Sequence, residues 1–239
     1  MKIISITGVT KTAEIAVTKA IGSIIIASDL PLSGLTTEKI SAYIERGNGS
    51  NVILANKVLL VDFILASTYG TEATQSDANN ALVALCELAV EGAIYLGEKE
   101  QIKFVLEDLD ATKRYDLFGI EEPILTDDLY FFEQKTVASE DFNKVIDVKG
   151  FDLAIMKVDA SIGDLSYRFS NGQVIKYLPF ELQTLSRDID PIQAFLSDGK
   201  VVQGLADRLS LPLVAVDSLE INKSQGSIIN FVVRTVKNV

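Results

Sequence analysis

The sequence predicts a mainly β protein of the β-sandwich or jelly-roll class, organised as two tandem copies of one unit. Three observations lead to this prediction. Short apolar or alternating segments recur between turn signals, few segments have helical spacing, and the second half of the chain repeats the order of the first. With 239 residues, 48% of them hydrophobic, the chain can fill two cores.

Strands are predicted wherever apolar residues run or alternate over four to nine positions. They cover residues 2–7, 14–18, 23–27, 40–46, 58–65, 93–96, 102–106, 129–133, 151–158, 165–169, 174–177, 213–216 and 228–236. Turn residues separate them, and Asn171-Gly172 between two strands predicts a hairpin with a type I′ turn.

Two stretches have helical spacing instead. Ser76-Asp77 is a candidate N-cap for a helix within residues 76–91. Asp190-Pro191 is a second candidate start, for helices within residues 191–209. The apolar positions that support these helices are Leu82, Leu85, Leu88 and Ala89 in the first, and Ile192, Ala194, Phe195, Leu196, Val201, Val202, Leu205 and Leu209 in the second.

The two halves of the chain match at four places with offsets of 122–124 residues. The matches are Lys11-Thr12-Ala13 with Lys135-Thr136-Val137, Tyr43 with Tyr167, Asn48-Gly49 with Asn171-Gly172, and Val52-Ile53 with Val174-Ile175. Collinear matches at a near-constant offset indicate a duplication. The acidic, proline-containing stretch 121–128 is the natural linker, and the predicted domains are 1–122 and 123–239.

Composition excludes several classes of function. The chain has no His and one Cys, which excludes imidazole chemistry, disulfides within the chain and Cys-rich zinc sites. A net charge of −11 argues against direct binding of nucleic acid. The N-terminal apolar run is too short for a leader, so we expect a soluble protein that folds in a reducing compartment, with Cys86 as a small buried hydrophobe.

Two glycine motifs resemble phosphate-binding loops but lack a required residue. Thr10 stands where the phosphate-binding loop ending in Lys11-Thr12 needs a glycine, and Val52 replaces the third glycine after Gly47 and Gly49. We therefore expect a strand and a hairpin turn at these places. The Gly-x-Ser-x-Gly motif of a nucleophile elbow is absent from the sequence.

Acidic residues cluster at four places, and we interpret them as solvated loops. The clusters are Glu107-Asp108 with Asp110, Glu121-Glu122, Asp127-Asp128, and Asp188 with Asp190. Paired carboxylates could also serve as the catalytic acids of a glycoside hydrolase. Clustered carboxylate oxygens could also bind calcium at a loop or at a contact between subunits. The sequence predicts no catalytic, cofactor-binding or metal-ligating residue and no cofactor.

Three features together characterise the organisation of the chain. They are the duplicated blocks 40–65 and 164–182, the expected helices after Ser76 and Asp190, and the segment 127–148 with its aromatic run. This pattern resembles the double jelly-roll major capsid proteins of tailless icosahedral viruses with an internal membrane, and most of all the compact, corticovirus-like phage type. The resemblance covers nearly the whole chain and is one of organisation, since the family has no short diagnostic motif. It implies two tandem eight-stranded jelly rolls with short helices between later strands of each.

The resemblance also implies a structural protein without enzymatic activity. Its implied partners are two further copies in a pseudo-hexameric homotrimer, neighbouring capsomers, vertex or penton proteins, minor membrane capsid proteins and the viral membrane near the capsomer base. Its implied location is the virion capsid after synthesis in the host cytoplasm. Because the chain is short, tower loops would be minimal. The alternatives are a β-sandwich carbohydrate- or receptor-binding protein, such as a spike or adhesin, and a carboxylate-dependent glycoside hydrolase.

Overall fold

The computed structural model describes residues 1–69, 74–189, 194–197, 200–203, 208–224 and 226–239. Contacts divide the chain into two compact units. Unit 1 consists of Met1–Glu133 with Val236–Val239, and unit 2 consists of Gln134–Thr235. The division into domains 1–122 and 123–239 stays a prediction.

Unit 1 is built from antiparallel strands on both sides of an apolar core. Its described strands are β1 (Lys2–Ile6), β2 (Ile15–Val17), β3 (Ser23–Ser28), β4 (Lys39–Glu45), β5 (Asn51–Leu59), β6 (Leu82–Glu87), β7 (Ala93–Ile94), β8 (Gln101–Glu107), β9 (Tyr115–Ile120), β10 (Leu125–Thr126) and the first half of β11 (Asp128–Val137). Alternation sends every second side chain into the core, as in β8, where Ile102, Phe104 and Leu106 are buried and their neighbours are not.

The strand order of unit 1 is that of a jelly roll. One sheet has the order β1-β9-β3-β6 and the other β2-β8-β4-β5. Among the eight main strands this places the first, eighth, third and sixth in one sheet and the second, seventh, fourth and fifth in the other. The first half of β11 extends the second sheet through one parallel bridge between Phe132 and Ala55.

Unit 2 repeats this order. Its described strands are the second half of β11, β12 (Asn143–Asp147), β13 (Leu153–Lys157), β14 (Ile162–Phe169), β15 (Val174–Tyr177), β16 (Ala194–Ser197), β17 (Lys200–Gln203), β18 (Arg208–Pro212), β19 (Val216–Lys223) and β20 (Ile229–Asn238). Its sheets run β11-β20-β13-β18 and β12-β19-β14-β15, the same first-eighth-third-sixth and second-seventh-fourth-fifth arrangement. The predicted fold class, two tandem eight-stranded jelly rolls, is confirmed.

The helix of unit 1 lies earlier in the chain than predicted. Helix α1 (Leu60–Ser67) occupies most of the segment predicted as the strand 58–65, and all eight of its residues are buried. A run that is apolar on every side fits a buried strand and a buried helix equally well. The helix is favoured by its packing against β5 and β6 and by the edge-on contact of Phe63 with Phe132.

The prediction of a helix within residues 76–91 is wrong. The Asp77 carboxylate accepts hydrogen bonds from the backbone N–H groups of Asn79 and Asn80, as an N-cap would, but the N–H of Asp77 donates to the carbonyl of Asn80 and closes a turn that no helix follows. The strand β6 follows, and its burial alternates with a period of two. The sequence Leu82–Glu87 satisfies the helical and the strand pattern over six residues, and pairing with β3 selects the strand.

The second helix is also earlier than predicted. Helix α2 (Pro179–Ile189) begins with proline, and the Glu181 carboxylate accepts a hydrogen bond from the N–H of Leu178, which closes the first turn. In the predicted helical region 191–209, the described residues 194–197 and 200–203 form the hairpin β16–β17, so the prediction is wrong there. Residues 190–193, 198–199 and 204–207, with Asp190-Pro191 among them, lie outside the described residues.

The two duplicated hairpins have loops of the same length, but their turn differs from the type predicted at Asn171-Gly172. In β4–β5 the loop 47–49 is closed by hydrogen bonds of Arg46 with Ser50, and in β14–β15 the loop 170–172 is closed by Phe169 with Gln173. Each loop has three residues, and only the last of them, Gly49 or Gly172 at φ +83°, has a positive φ. A type I′ turn needs two such residues, so the loop is a turn followed by a glycine bulge.

Two smaller expectations also fail. Residues 213–215 of the predicted strand 213–216 form a turn between β18 and β19, with Ala215 at φ +61°. The match of Lys11 with Lys135 does not join equivalent positions. Lys135 lies in β11, the first strand of unit 2, whereas Lys11 lies after the first strand of unit 1.

Candidate functional site

The acidic residues at 107–110 form ion pairs and turn contacts, and they are not combined into one site. Glu107 Oε1 lies 2.5 Å from Lys11 Nζ, and this hydrogen bond lowers the pKa of Glu107. Asp108 Oδ2 lies 2.8 Å from Lys39 Nζ, which lowers the pKa of Asp108 in the same way. The Asp110 carboxylate accepts hydrogen bonds from the side chain and backbone of Thr112. Low pKa values keep these groups ionised and unsuited to donate a proton at neutral pH.

The other acidic clusters lie on exposed connections. Glu121 pairs with Lys19 at 3.0 Å, and Asp128 accepts a hydrogen bond from Asn238 at 2.9 Å. Asp188 lies near the end of α2, and Asp190 is outside the described residues. Within the part of the chain that the structure describes, no group of three or more acidic or Cys side chains has a geometry that could hold a metal ion.

The motif at Gly47 and Gly49 forms the expected hairpin turn, whereas the strand expected at the Gly8 motif ends at Ile6 and an irregular connection follows. Gly8 donates its N–H to the carbonyl of Ala111, and Lys11 is engaged with Glu107. Gly47 and Gly49 belong to the β4–β5 hairpin loop, where Asn48 Oδ1 accepts a hydrogen bond from Ser50. Because of these contacts, neither motif has the shape of a phosphate-binding loop.

Cys86 is inaccessible, as the sequence suggested. Cys86 is 0% exposed near the end of β6, and burial raises the pKa of its thiol to about 12. A thiol held in its neutral form has little nucleophilic or metal-binding capacity at physiological pH.

The outer face of the β2-β8-β4-β5 sheet carries a polar network in unit 1. Lys103 Nζ lies 3.1 Å from Glu14 and 3.0 Å from Glu45, and these contacts raise the pKa of Lys103. The Tyr43 hydroxyl donates a hydrogen bond of 2.5 Å to Glu14, and Gln101 donates another to Glu45. The network joins three elements across the sheet and leaves this face hydrated.

The equivalent sheet of unit 2 carries a similar network. Arg168 pairs with Glu220, and Asn143 donates to the same carboxylate at 2.6 Å. These two contacts, that of Asn143 first, lower the pKa of Glu220. Asp164 lies 3.0 Å from Lys176 and accepts a hydrogen bond from Asn222 at 2.6 Å. Both units therefore present the same sheet to solvent as a charged, internally paired surface.

A groove of about 350 Å³ crosses the outer face of β4, β5 and β8. Its lining includes Tyr43, Ile53, Asn56, Lys57 and Glu107. Lys57 has φ +50°, and its N–H is held by the Ser41 hydroxyl where the β4–β5 register shifts. The charged groups of the groove are paired with each other, because Lys11 and Lys57 both lie beside the carboxylate of Glu107. The sequence did not single out this groove.

None of the helices in the described residues combines the length and the hydropathy that are needed to cross a lipid bilayer.

No protein-family model and no curated protein sequence matches this chain. Solved structures do match it in fold. The major capsid protein of bacteriophage PM2 has a TM-score of 0.54 at 13% identity, over 100% of this chain and 95% of that one. The major capsid protein of Sulfolobus turreted icosahedral virus has a TM-score of 0.56 at 11% identity, over 98% and 93%. A second structure from that virus has a TM-score of 0.58 at 10% identity, over 98% and 88%. From end to end, this chain has the double jelly-roll fold found in those major capsid proteins.

Proposed function

We propose that this chain is a structural major capsid protein of an icosahedral virion. The observation that carries the proposal is the presence of two jelly-roll units with one strand order in a single chain, a fold that matches a phage major capsid protein over 100% of this chain. The paired carboxylates and the buried thiol agree with a role without enzymatic activity. The virion capsid is the proposed location, after synthesis in the host cytoplasm.

The proposed assembly is a homotrimer. Three chains with two similar units each give six similar lobes around one axis, and such a pseudo-hexameric capsomer can tile a shell. In this proposal the capsomers contact one another, vertex or penton proteins and minor membrane capsid proteins, and their bases approach an internal membrane. A net charge of −11 suits a shell that does not contact the genome directly.

The test is the mass and shape of the purified full-length protein. Native mass spectrometry and negative-stain imaging are expected to give trimers with a hexagonal outline and two upright lobes per chain. Samples with a chelator and with added calcium separate ion-bridged contacts from direct ones. Monomers in every condition, at concentrations where related shells assemble, would contradict the proposal.

The groove on unit 1 supports a second candidate, a carbohydrate- or receptor-binding protein. Tyr43 offers an aromatic ring beside hydrogen-bonding groups, the combination that sugar binding uses. This candidate predicts glycan-array binding by the monomer that Tyr43→Ala abolishes and that the control Tyr95→Ala, outside the groove, leaves intact. An array without signal would exclude it in favour of the shell protein.

A further inference from the structure

An exposed apolar patch lies on unit 1, where two extended segments run side by side. The strands β7 and β10 pair in parallel, with Leu125 opposite Ala93. The N–H of Ala93 donates to the carbonyl of Ile124 at 2.7 Å, and the N–H of Tyr95 donates to that of Thr126 at 3.1 Å. The exposed apolar residues of these segments, which we call the β7/β10 patch, are Val90, Tyr95, Ile124 and Leu125, each with 39–69% of its surface accessible.

The patch is held in a defined shape. On the other side of β7, the N–H of Ile94 donates to the carbonyl of Ile21, and the side chains of Ala93 and Ile94 are buried. Gly92 has φ +80°, and a Cβ at this position would lie 2.4 Å from the carbonyl oxygen of Ile124. Only glycine permits this approach. A partner would therefore meet a preformed surface and would not have to order it.

The rim of the patch is mainly acidic. The segments 90–98 and 121–128 contain six acidic residues and neither Lys nor Arg. These acidic residues are Glu91, Glu98, Glu121, Glu122, Asp127 and Asp128, and all six are exposed. Two cations lie beside the patch, and both are paired. Lys19 lies 3.0 Å from Glu121, and Arg46, which donates to the carbonyl of Tyr95, lies 2.9 Å from Glu100.

We propose that the β7/β10 patch docks a basic, apolar peptide segment of another protein. Apolar anchors at the centre and complementary charge at the rim are the recurring anatomy of a specific interface. The negative rim repels an anionic lipid surface, and it also repels the same patch on a second copy of this chain. A segment that alternates Lys or Arg with Leu or Ile matches both parts of the surface. This inference goes beyond the shell role, because it depends only on a surface of unit 1.

The test measures binding of a fluorescent peptide that alternates Lys and Leu to the full-length protein, by anisotropy at low and high salt. The comparison peptide carries Glu in place of every Lys. The double variant Ile124→Ser/Leu125→Ser removes anchors, and Glu122→Lys/Asp127→Lys reverses the rim. Each is expected to weaken binding about tenfold or more, because central apolar groups and close charges dominate interface energies.

Matched controls change the same residue types elsewhere. Ile228→Ser removes an exposed isoleucine of unit 2, and Glu140→Lys reverses a charge on the same unit. Both are expected to bind within about twofold of the native protein, because surface changes outside an interface have small effects. Circular dichroism of each variant verifies folding, and sedimentation of the same samples reports assembly separately from peptide binding.

Three results would overturn the proposal. They are equal binding of the Lys and Glu peptides, an unchanged affinity in both patch variants, and patch-dependent binding to phosphatidylglycerol vesicles in place of the peptide. The last result would assign the patch to a membrane surface.

Discussion

Replacing Phe63 by alanine tests the buried position of α1, the element that the sequence placed wrongly. The Phe63 ring is 0% exposed, and its centroid lies 4.8 Å from that of Phe132 at an interplanar angle of 61°. Burial of a phenylalanine contributes about 1.5–3 kcal/mol, and an edge-on aromatic pair adds about 0.5–1.5 kcal/mol. With the cavity that remains, we expect Phe63→Ala to lower the free energy of unfolding by about 3–5 kcal/mol.

The assay is chemical denaturation followed by circular dichroism, with the transition midpoints compared between variants. Phe180→Ala is the matched control, because Phe180 lies on α2 with 64% of its surface exposed. We expect this control to change stability by less than about 0.5 kcal/mol. A loss below about 1 kcal/mol for Phe63→Ala, or equal losses for the two variants, would refute the assignment of a fully buried helix.

Three further predictions concern pH, turns and the thiol. The chain has no His, so its melting temperature should be level between about pH 5 and pH 8. Below this range, carboxylates with lowered pKa such as Glu107 lose their stabilising contribution as the pH falls from 4.5 through their folded pKa. Above it, the raised pKa of Cys86 costs stability from pH 9.0 towards about 12. A plateau that extends into the acid range would contradict the first expectation, and one that extends into the alkaline range would contradict the second. Gly49→Ala and Gly172→Ala should each cost about 1–2 kcal/mol in denaturation, because both glycines have φ +83°; Gly163→Ala, without positive φ, should lack this cost. A thiol reagent should leave native Cys86 unmodified and react only on unfolding; rapid reaction of the folded protein would contradict its burial.

Strands with a continuous apolar run or with regular alternation were predictable because both signals are local. In β3, β8 and β15 the predicted and observed bounds agree within one residue. The strand β19 has the same alternation, with Val216, Leu219 and Ile221 buried, and this signal was present but unused. The polar strand β12 has no such alternation of apolar residues, because its five residues are held by backbone pairing with β19 and not by burial.

Functional surfaces were less predictable than strands. The sequence marked the acidic clusters, and the structure shows that several of their carboxylates are held by lysines, as in the pair of Glu107 with Lys11. The lysines come from other elements, so no spacing along the chain reveals these pairs. The β7/β10 patch was hidden for the same reason, because residues 90–95 and 124–128 meet only through strand pairing.

Composition and periodicity determined the mainly β class, the duplication and the absence of imidazole and disulfide chemistry. These properties depend on residues that are neighbours in sequence or on simple counts. Folding in three dimensions determined which strands pair, which of two mainly apolar runs became a helix, and which charges neutralise each other. Leu60–Ser67 and Leu82–Glu87 have similar composition, and their different structures follow from the neighbours that bury them, α1 against β5 and β6, and β6 against β3.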